Sequence, residues 1–392
     1  MDPSSLLLFA FRAALERADP ERATLRVLQR DELSSWVRSF PVVRLLGAGK
    51  AAAPMARAAE RALGGRLAGG VVVVKDGHGL PLDRIEVLES AHPTPDERSV
   101  AAGRRLLAEA GALGPEALLL FVLSGGASSL IEAPAGGLSL EDLRRRNEEL
   151  LRSGLPIEAI NEERRRLSAL KGGRLAVGTR ASLLTLILSD VPRGGPEVVG
   201  SGPTLASFPP TRPGHRALVV ADHRDALEAA AAALEARGVE VIEAHPGGLC
   251  DASAREHGAA LRGVWKKRRG GRAALLWSGE ATAEVRGRGR GGRNQELALA
   301  AALALRGTRG VTAAALATDG QDGPTDAAGA IVDGETARRI EAAGLDPARH
   351  LEDSDAYPAL EAAGALVKTG PTLTNVNDLL LVLLEPWAAG AG

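Results

Sequence analysis

Apolar runs recur along the chain, each ending in a glycine- or serine-rich break and most leading into a stretch with apolar positions at helical spacing. Ala117–Leu123 (ALLLFVL), Ser182–Leu188, Val311–Ala317 and residues 379–384 are almost wholly apolar, as strands buried on both faces of a parallel sheet must be. Shorter strands are predicted over 41–46, 70–74, 84–88, 217–220, 239–243 and 273–277. Between them the spacing predicts helices over 4–18, on to about 38, 51–63, 97–110, 139–153, 157–170, 224–237, 250–268, from 294, 335–343 and 356–363. Strand, loop and helix in alternation is the grammar of an α/β fold with mainly parallel sheets.

At 392 residues the chain exceeds one ordinary core, so two α/β domains are expected. The proline-rich FPPTRP at 208–213 reads as the linker. This places a Rossmann-like domain at 1–212 and a second α/β domain at 213–392, the latter opening on a βαβ unit over 217–243. The last strand is free to return to the first domain. In doubly wound sheets the carboxyl ends of the strands face one side, so two such domains can frame a cleft.

Composition narrows the function. A formal charge of −1 argues against a nucleic-acid or membrane-surface protein, which makes runs such as Arg144–Arg146, Arg164–Arg166 and Lys266–Arg269 solvated helix faces. Apolar residues make up 45% but aromatics only 3%, so alanine, leucine and valine must fill the cores. Cys250 is the single cysteine and forms neither an internal disulfide nor a metal site by itself. With no stretch of about twenty apolar residues and no cleavable leader pattern, a cytoplasmic protein is expected.

The chemistry collects at strand ends. After the first strand comes Gly47-Ala48-Gly49-Lys50, a turn of the kind that presents backbone amides to an anion. It has neither the spacing of a Walker A loop nor the third glycine of a dinucleotide fingerprint, and a plain strand-to-helix turn explains it as well. Lys50 is the notable residue, because a cation at a helix start is disfavoured unless an anion sits nearby. Ser124-Gly125-Gly126-Ala127-Ser128 follows the run Ala117–Leu123 and offers small residues, amides and hydroxyls to an oxyanion, without the spacing of a nucleophile elbow. Asp190 stands at the end of a central strand, where open α/β sheets place catalytic or metal-binding groups. His78 and His92 lie in loops and could each line a site, although a lone loop histidine is more often structural or solvated than a metal ligand.

In the second half, Glu280 follows one strand and can oppose an arginine or hold a metal. A loop then alternates Arg286, Arg288, Arg290 and Arg293 with glycines before the helix from Asn294. Guanidinium forks, close-approaching glycine amides and a helix N-terminus all suit phosphate or carboxylate. Asp319, Asp322 and Asp326 crowd the segment 318–326, where a divalent cation is a candidate ligand, though not with EF-hand spacing. Anion cradles, guanidinium and carboxylates together suit phosphoryl transfer from a magnesium nucleotide, which asks mainly for positioning and charge neutralisation.

Six segments then carry a resemblance: LSGGASSL at 123–130, LKGGRLA at 170–176, LSDVP with SGPT across 188–204, GGRNQELALAAAL at 291–303, TDGQDGPTDAAGA at 318–330 and TGPTLTNVNDL at 369–379. In order and content these resemble the type II glycerate 2-kinases, the MOFRL family, from about Gly47 to Asp378. The resemblance implies ATP-dependent phosphorylation of D-glycerate to 2-phosphoglycerate, with a divalent cation (Mg2+), in a cleft between two α/β domains. It carries the family's catalytic lysine onto Lys50 and its arginine onto Arg293, with Asp190 as a further catalytic group. Gly47, Gly49, Ser124, Gly125, Gly126, Ala127, Ser128, Asn294 and Asn375 become nucleotide-, phosphate- or substrate-binding residues, and Asp190, Glu280 and Asp319 metal ligands. Partners are then small molecules, with an oligomer compatible but not implied. Two departures stand out: Arg193, Gly194 and Gly195 follow Pro192 where the family usually has acidic residues, and residues 285–291 are unusually rich in arginine. Two rival readings are an NAD(P)H-dependent hydroxypyruvate reductase and a noncatalytic nucleotide- or sugar-acid-binding protein.

Overall fold

A computed structural model describes residues 1–153, 157–268 and 270–386; Arg269 of the basic run and 387–392 of the second predicted domain lie outside the described residues. The chain divides into two compact units, Asp19–Ala221 and Met1–Ala18 with Asp222 onward.

Six strands build the sheet of the Asp19–Ala221 unit: β1 (Val42–Ala48), β2 (Leu67–Lys75), β3 (Ile85–Ser90), β4 (Ala117–Leu123), β5 (Ser182–Leu188) and β6 (His215–Ala221). Every pairing is parallel, in the order β3-β2-β1-β4-β5-β6. All seven residues of β4 are buried, which is why that run carries no polar position. Leu46, Val71, Leu119, Phe121, Leu183 and Ile187 sit in the core formed with the flanking helices. Strand order reverses between β1 and β4, and in such sheets the crevice outside the carboxyl ends at that reversal is where ligands bind.

The other unit's sheet contains β7 (Glu240–His245), β8 (Ala273–Gly279), β9 (Val311–Ala317), β10 (Gly329–Asp333), β11 (Leu366–Val367) and β12 (Asp378–Leu384), in the order β11-β10-β9-β12-β8-β7. β7, β8, β9 and β11 run in one direction, β10 and β12 in the other. Helix Arg293–Ala304 is buried along most of its length, and its leucines and alanines fill the core with β8, β9 and β12.

Three expectations about organisation are corrected. Residues 208–213 do not divide the units. Arg212 donates to the carbonyls of Thr179 (2.9 Å) and Ala181 (3.0 Å), and the segment feeds β6, which pairs with β5. The 217–243 stretch is therefore no βαβ unit: β6 belongs to the first sheet and β7 pairs with β8 in the second, so the division falls at 221/222 and not at 212/213. The last strand does not return to the first sheet. β12 inserts between β8 and β9, with Asp378 opposite Gly279 and Ala317, because LLLVLL needs cover on both faces.

The N-terminal helix Pro3–Arg17 also leaves the predicted first domain. It packs on helix His223–Glu235, pairs Arg17 with Asp225, places Phe9 under the Arg237 guanidinium at 4.0 Å, and its following residue Ala18 accepts a bond from Thr374 (2.7 Å). Amphipathic spacing predicted the helix but holds no record of which sheet it covers. The predicted helix 250–268 is instead the short helix Ala254–Ala260 flanked by single 3-10 turns, broken at Gly263 with its left-handed φ of 79°. β10 was not anticipated, since five residues between acidic and glycine-rich neighbours offer too little periodicity.

Candidate active site

At the carboxyl ends of β1 and β4 the two predicted loops interlock. The Lys50 amide donates to the Gly125 carbonyl (2.9 Å), the Ser124 amide to the Ala48 carbonyl (3.1 Å), and the Ala51 amide to Ser124 Oγ (3.0 Å). Gly49 donates to the Val73 carbonyl (3.1 Å) and Ala52 to the Gly49 carbonyl (3.0 Å). The amides from Gly49 to Ala52 are thus spent inside the protein, with the Ser124 hydroxyl taking that of Ala51 just ahead of helix Ala52–Leu63. Gly47 and Gly49 are explained by packing. A Cβ on Gly47 would lie 2.3 Å from a Val122 methyl, and one on Gly49, at φ +133°, 2.1 Å from Ser124 Oγ.

The amides of Gly125 and Gly126 make no such bond to other described residues, so the oxyanion donors of this end lie on the serine loop and not on GAGK. A Cβ on Gly125 would sit 1.9 Å from an Asp190 carboxylate oxygen, which places Asp190 directly over that glycine. Gly126, at φ +85°, would bring a Cβ to 3.3 Å from Lys50 Cγ and 3.2 Å from the His92 ring. Ala127 is buried, and Ser128 Oγ lies 3.0 Å from Ser201 Oγ. Lys50, the serine loop and Asp190 therefore gather at one sheet end, together with His92. Among the described residues Lys50 forms no ion pair, and it is half-buried. Burial, reinforced by Lys50, Lys75 and His78, lowers the His92 pKa to about 4, so the ring is neutral near pH 7. His78 is pushed down for the same first reason, and its Nδ1 is 3.3 Å from the Lys50 carbonyl.

The second constellation lies where β8 and β9 end and β12 begins. Arg293 opens helix Arg293–Ala304, and its guanidinium grips both carboxylate oxygens of Asp378 and one of Glu280. The other Glu280 oxygen accepts Asn377 Nδ2 (3.3 Å). Burial pushes the Asp378 pKa up to about 7 against the pull of Arg293. Burial also works against the Arg293 charge, but Asp378 and Glu280 outweigh it and raise its pKa. The helix start carries its own anion: Asp322, 2% exposed, accepts the amides of Asn294 (3.1 Å) and Gln295 (2.8 Å) and the Asn294 side chain (3.3 Å). Asn294 is buried in this cap, and Asn375 accepts the Asn377 amide through Oδ1 (3.2 Å).

One expectation is corrected here and another narrowed. Three amides of the arginine–glycine loop are taken within the protein: Arg286 donates to Ser354 Oγ (3.1 Å), Gly289 to the Asp353 carbonyl (3.2 Å) and Arg290 to Asp355 (2.7 Å). Its glycines let it lie against that neighbouring backbone, where a Cβ on Gly287 would meet the Asp353 carbonyl oxygen at 2.3 Å. The acidic segment 318–326 is not one cation site. Asp322 caps the helix, Asp326 faces Lys368 (3.1 Å) and Tyr357 (2.7 Å), and Thr325 accepts Gln295 (2.7 Å). Asp319 remains at the sheet end, outside the Arg293 ion pairs, with one oxygen on the Gln321 amide (3.0 Å). Among the described residues no three His, Cys, Asp or Glu side chains cluster as a metal cage.

Sequence reasoning gave no role to Asp378 or to the buried pair Glu132–Lys171, and it offered Asp322 to a cation where the fold uses it as a helix cap. Of the unassigned residues Asp378 had a signal, an acidic residue at the head of an otherwise apolar strand.

Residues 6–237 match the family described as a domain of unknown function, DUF4147, and residues 273–378 match the MOFRL family. The chain belongs to the DUF4147–MOFRL family. It is 38% identical to a Thermotoga maritima protein named D-glycerate 2-kinase, over 98% of this chain and 99% of that one. A Pyrococcus horikoshii protein named glycerate 2-kinase is 33% identical, over 98% of each chain. An Agrobacterium vitis relative, 39% identical over 95% of this chain and 93% of its own, has a provisional name as a hydroxypyruvate reductase. The crystal structure titled glycerate kinase from Thermotoga maritima superposes with a TM-score of 0.86 at 37% identity, covering 97% of this chain and all of that one. Among the described residues no helix is long and apolar enough to cross a membrane.

Proposed function

We propose that this chain transfers the γ-phosphoryl group of ATP to the 2-hydroxyl of D-glycerate. The observation that carries the reading is the β1/β4 end: Lys50, without an ion pair among the described residues, lies beside Gly126 in the serine loop, where the amides of Gly125 and Gly126 are unengaged and Asp190 stands over Gly125. Family membership, with relatives of nearly equal length named as glycerate kinases, supports the same reaction class.

In this mechanism the chain supplies fixed charge and fixed donors, which is most of what phosphoryl transfer requires. Lys50 neutralises oxygens of the transferring group, and the Gly125 and Gly126 amides hold them in place. Asp190 orients the attacking hydroxyl and takes its proton. Arg293, locked by Asp378 and Glu280, presents its orientation without paying for it at the moment of reaction. The residues fit a magnesium ion shared with phosphate oxygens better than one caged by protein, since magnesium commonly uses one or two carboxylates beside the phosphates. Asp190, or in the other unit Asp319, is the carboxylate that would hold it. When bound, it neutralises charge on the β- and γ-phosphates.

The rival reductase reading has a strand order in its favour, because 3-2-1-4-5-6 is also the dinucleotide topology. It has the loop against it. A dinucleotide sets its pyrophosphate on the first helix start, and here those amides bond Val73, Gly125, Ser124 and Gly49. Purified protein with ATP, magnesium and D-glycerate is expected to form 2-phosphoglycerate, while NADH with hydroxypyruvate shows no oxidation. The opposite pair of results rejects the proposal.

A further inference from the structure

Beside the serine loop the Asp19–Ala221 unit holds a pocket of about 490 Å3, with Gly126, Ser128, His92, Leu143, Arg164 and Lys171 in its wall. Helix Leu140–Arg152 and helix Ile157–Arg166 contribute one side. The arginines of these helices are largely spent. Arg145, Arg146, Arg152, Arg165 and Arg166 each pair with a carboxylate three or four residues away. Arg164 differs. It is half-buried and forms no ion pair among the described residues, and its Nε donates to Asn147 Oδ1 (3.2 Å). The two terminal nitrogens of its fork are left for the pocket.

Lys171 adds a second cation, only 5% exposed. It bonds Glu132, whose other oxygen is taken by Ser168 Oγ and the Ala133 amide (2.9 Å). Glu132 therefore has little acceptor capacity left, whereas an ammonium has three donors and this one gives one to Glu132. Against Arg164 and Lys171 the wall sets two carboxylates, Glu132, spent as above, and Glu148, which pairs with Arg152 (3.4 Å), and it carries no Phe, Tyr or Trp on which a base could stack. Such a wall fits a small, oxygen-rich anion better than a nucleoside.

We infer that this pocket is the acceptor site, holding a 2-hydroxy carboxylate with Arg164 as the reader of its carboxylate. The inference rests on the kinase reading above and assigns the acceptor to this pocket. Gly126 belongs to both the pocket wall and the Lys50 neighbourhood, so a bound hydroxy acid reaches the transfer site through the serine loop. The volume exceeds what a three-carbon acid fills and admits bridging water.

The test is steady-state kinetics on wild type, Arg164→Gln and Arg164→Lys, with melting temperature as a folding control. Arg164→Gln is expected to raise KM for D-glycerate about ten- to hundredfold, the loss of a charged hydrogen-bond pair, and to leave KM for ATP within about twofold. Arg164→Lys recovers part of the loss, because charge survives while the fork does not. A shift in KM for ATP alone assigns the pocket to the nucleotide and overturns the inference, as does no shift at all. Should wild type form no 2-phosphoglycerate, calorimetric titration with D-glycerate separates the two readings. Binding that Arg164→Gln abolishes retains the pocket and rejects the kinase; no binding to wild type rejects the pocket.

Discussion

Lys50 and Arg293 are both cations at the head of a helix that follows a core strand, yet the protein holds them in opposite ways. Lys50 has no carboxylate partner among the described residues, and the amides of its own turn, Gly49 to Ala52, are already bonded, so its position comes from the backbone. Arg293 is clamped by Asp378 and Glu280, with Asp322 capping the same helix start. A lysine with no ion pair keeps its full charge for an incoming anion. A clamped guanidinium gives up part of its net charge but needs no reorganisation. One unit is built for charge, the other for geometry.

The largest expected effect tests this contrast directly. Lys50→Ala should lower kcat on the order of a thousandfold, with the urea midpoint unchanged, because no internal ion pair is lost. A variant of near-wild-type activity removes Lys50 from the mechanism. Arg293→Ala should lower activity comparably and also cost stability on the order of 3 kcal/mol, since Asp378, 1% exposed, loses its partner. Equal midpoints for wild type and Arg293→Ala would contradict the clamp. Asp378→Asn keeps the shape and loosens the grip, so a loss of roughly tenfold in kcat is expected, the size of one charged hydrogen bond.

The smallest effects are in pH. The His92 pKa is held near 4 in the fold, below the ordinary value of about 6.5. Between those values the unfolded chain binds a proton that the fold refuses, so stability falls as pH drops from about 6.5 toward 4. His215, also lowered to about 4 by burial, contributes in the same window. Asp378 works the other way: with its pKa raised to about 7, its contribution weakens as pH rises from about 4 to 7. The urea midpoint of His92→Gln should therefore depend less steeply on acid pH than that of wild type. An unchanged slope would mean the ring is not desolvated.

Much of the fold was legible in the sequence. Ala117–Leu123, Ser182–Leu188 and Val311–Ala317 have the bounds read from their apolar runs, because strands covered on both faces tolerate no polar position. The candidate site was legible in part. Lys50, the serine loop and Asp190 were recognisable because each sits at a strand end, and parallel strands bring their carboxyl ends to one side.

What the sequence alone determined was the type of most elements, the alternating α/β grammar and the residue types at strand ends, since these follow from local periodicity and turn chemistry. Tertiary structure decided the partners. It chose β5 for β6, seated β12 between β8 and β9, carried the first helix onto His223–Glu235, and turned Asp322 and Asp378 from a suspected metal segment and an unnoticed strand start into a cap and a clamp. The physical reason is that pairing and burial depend on contacts distant along the chain, and local pattern fixes which face is apolar without saying what will cover it.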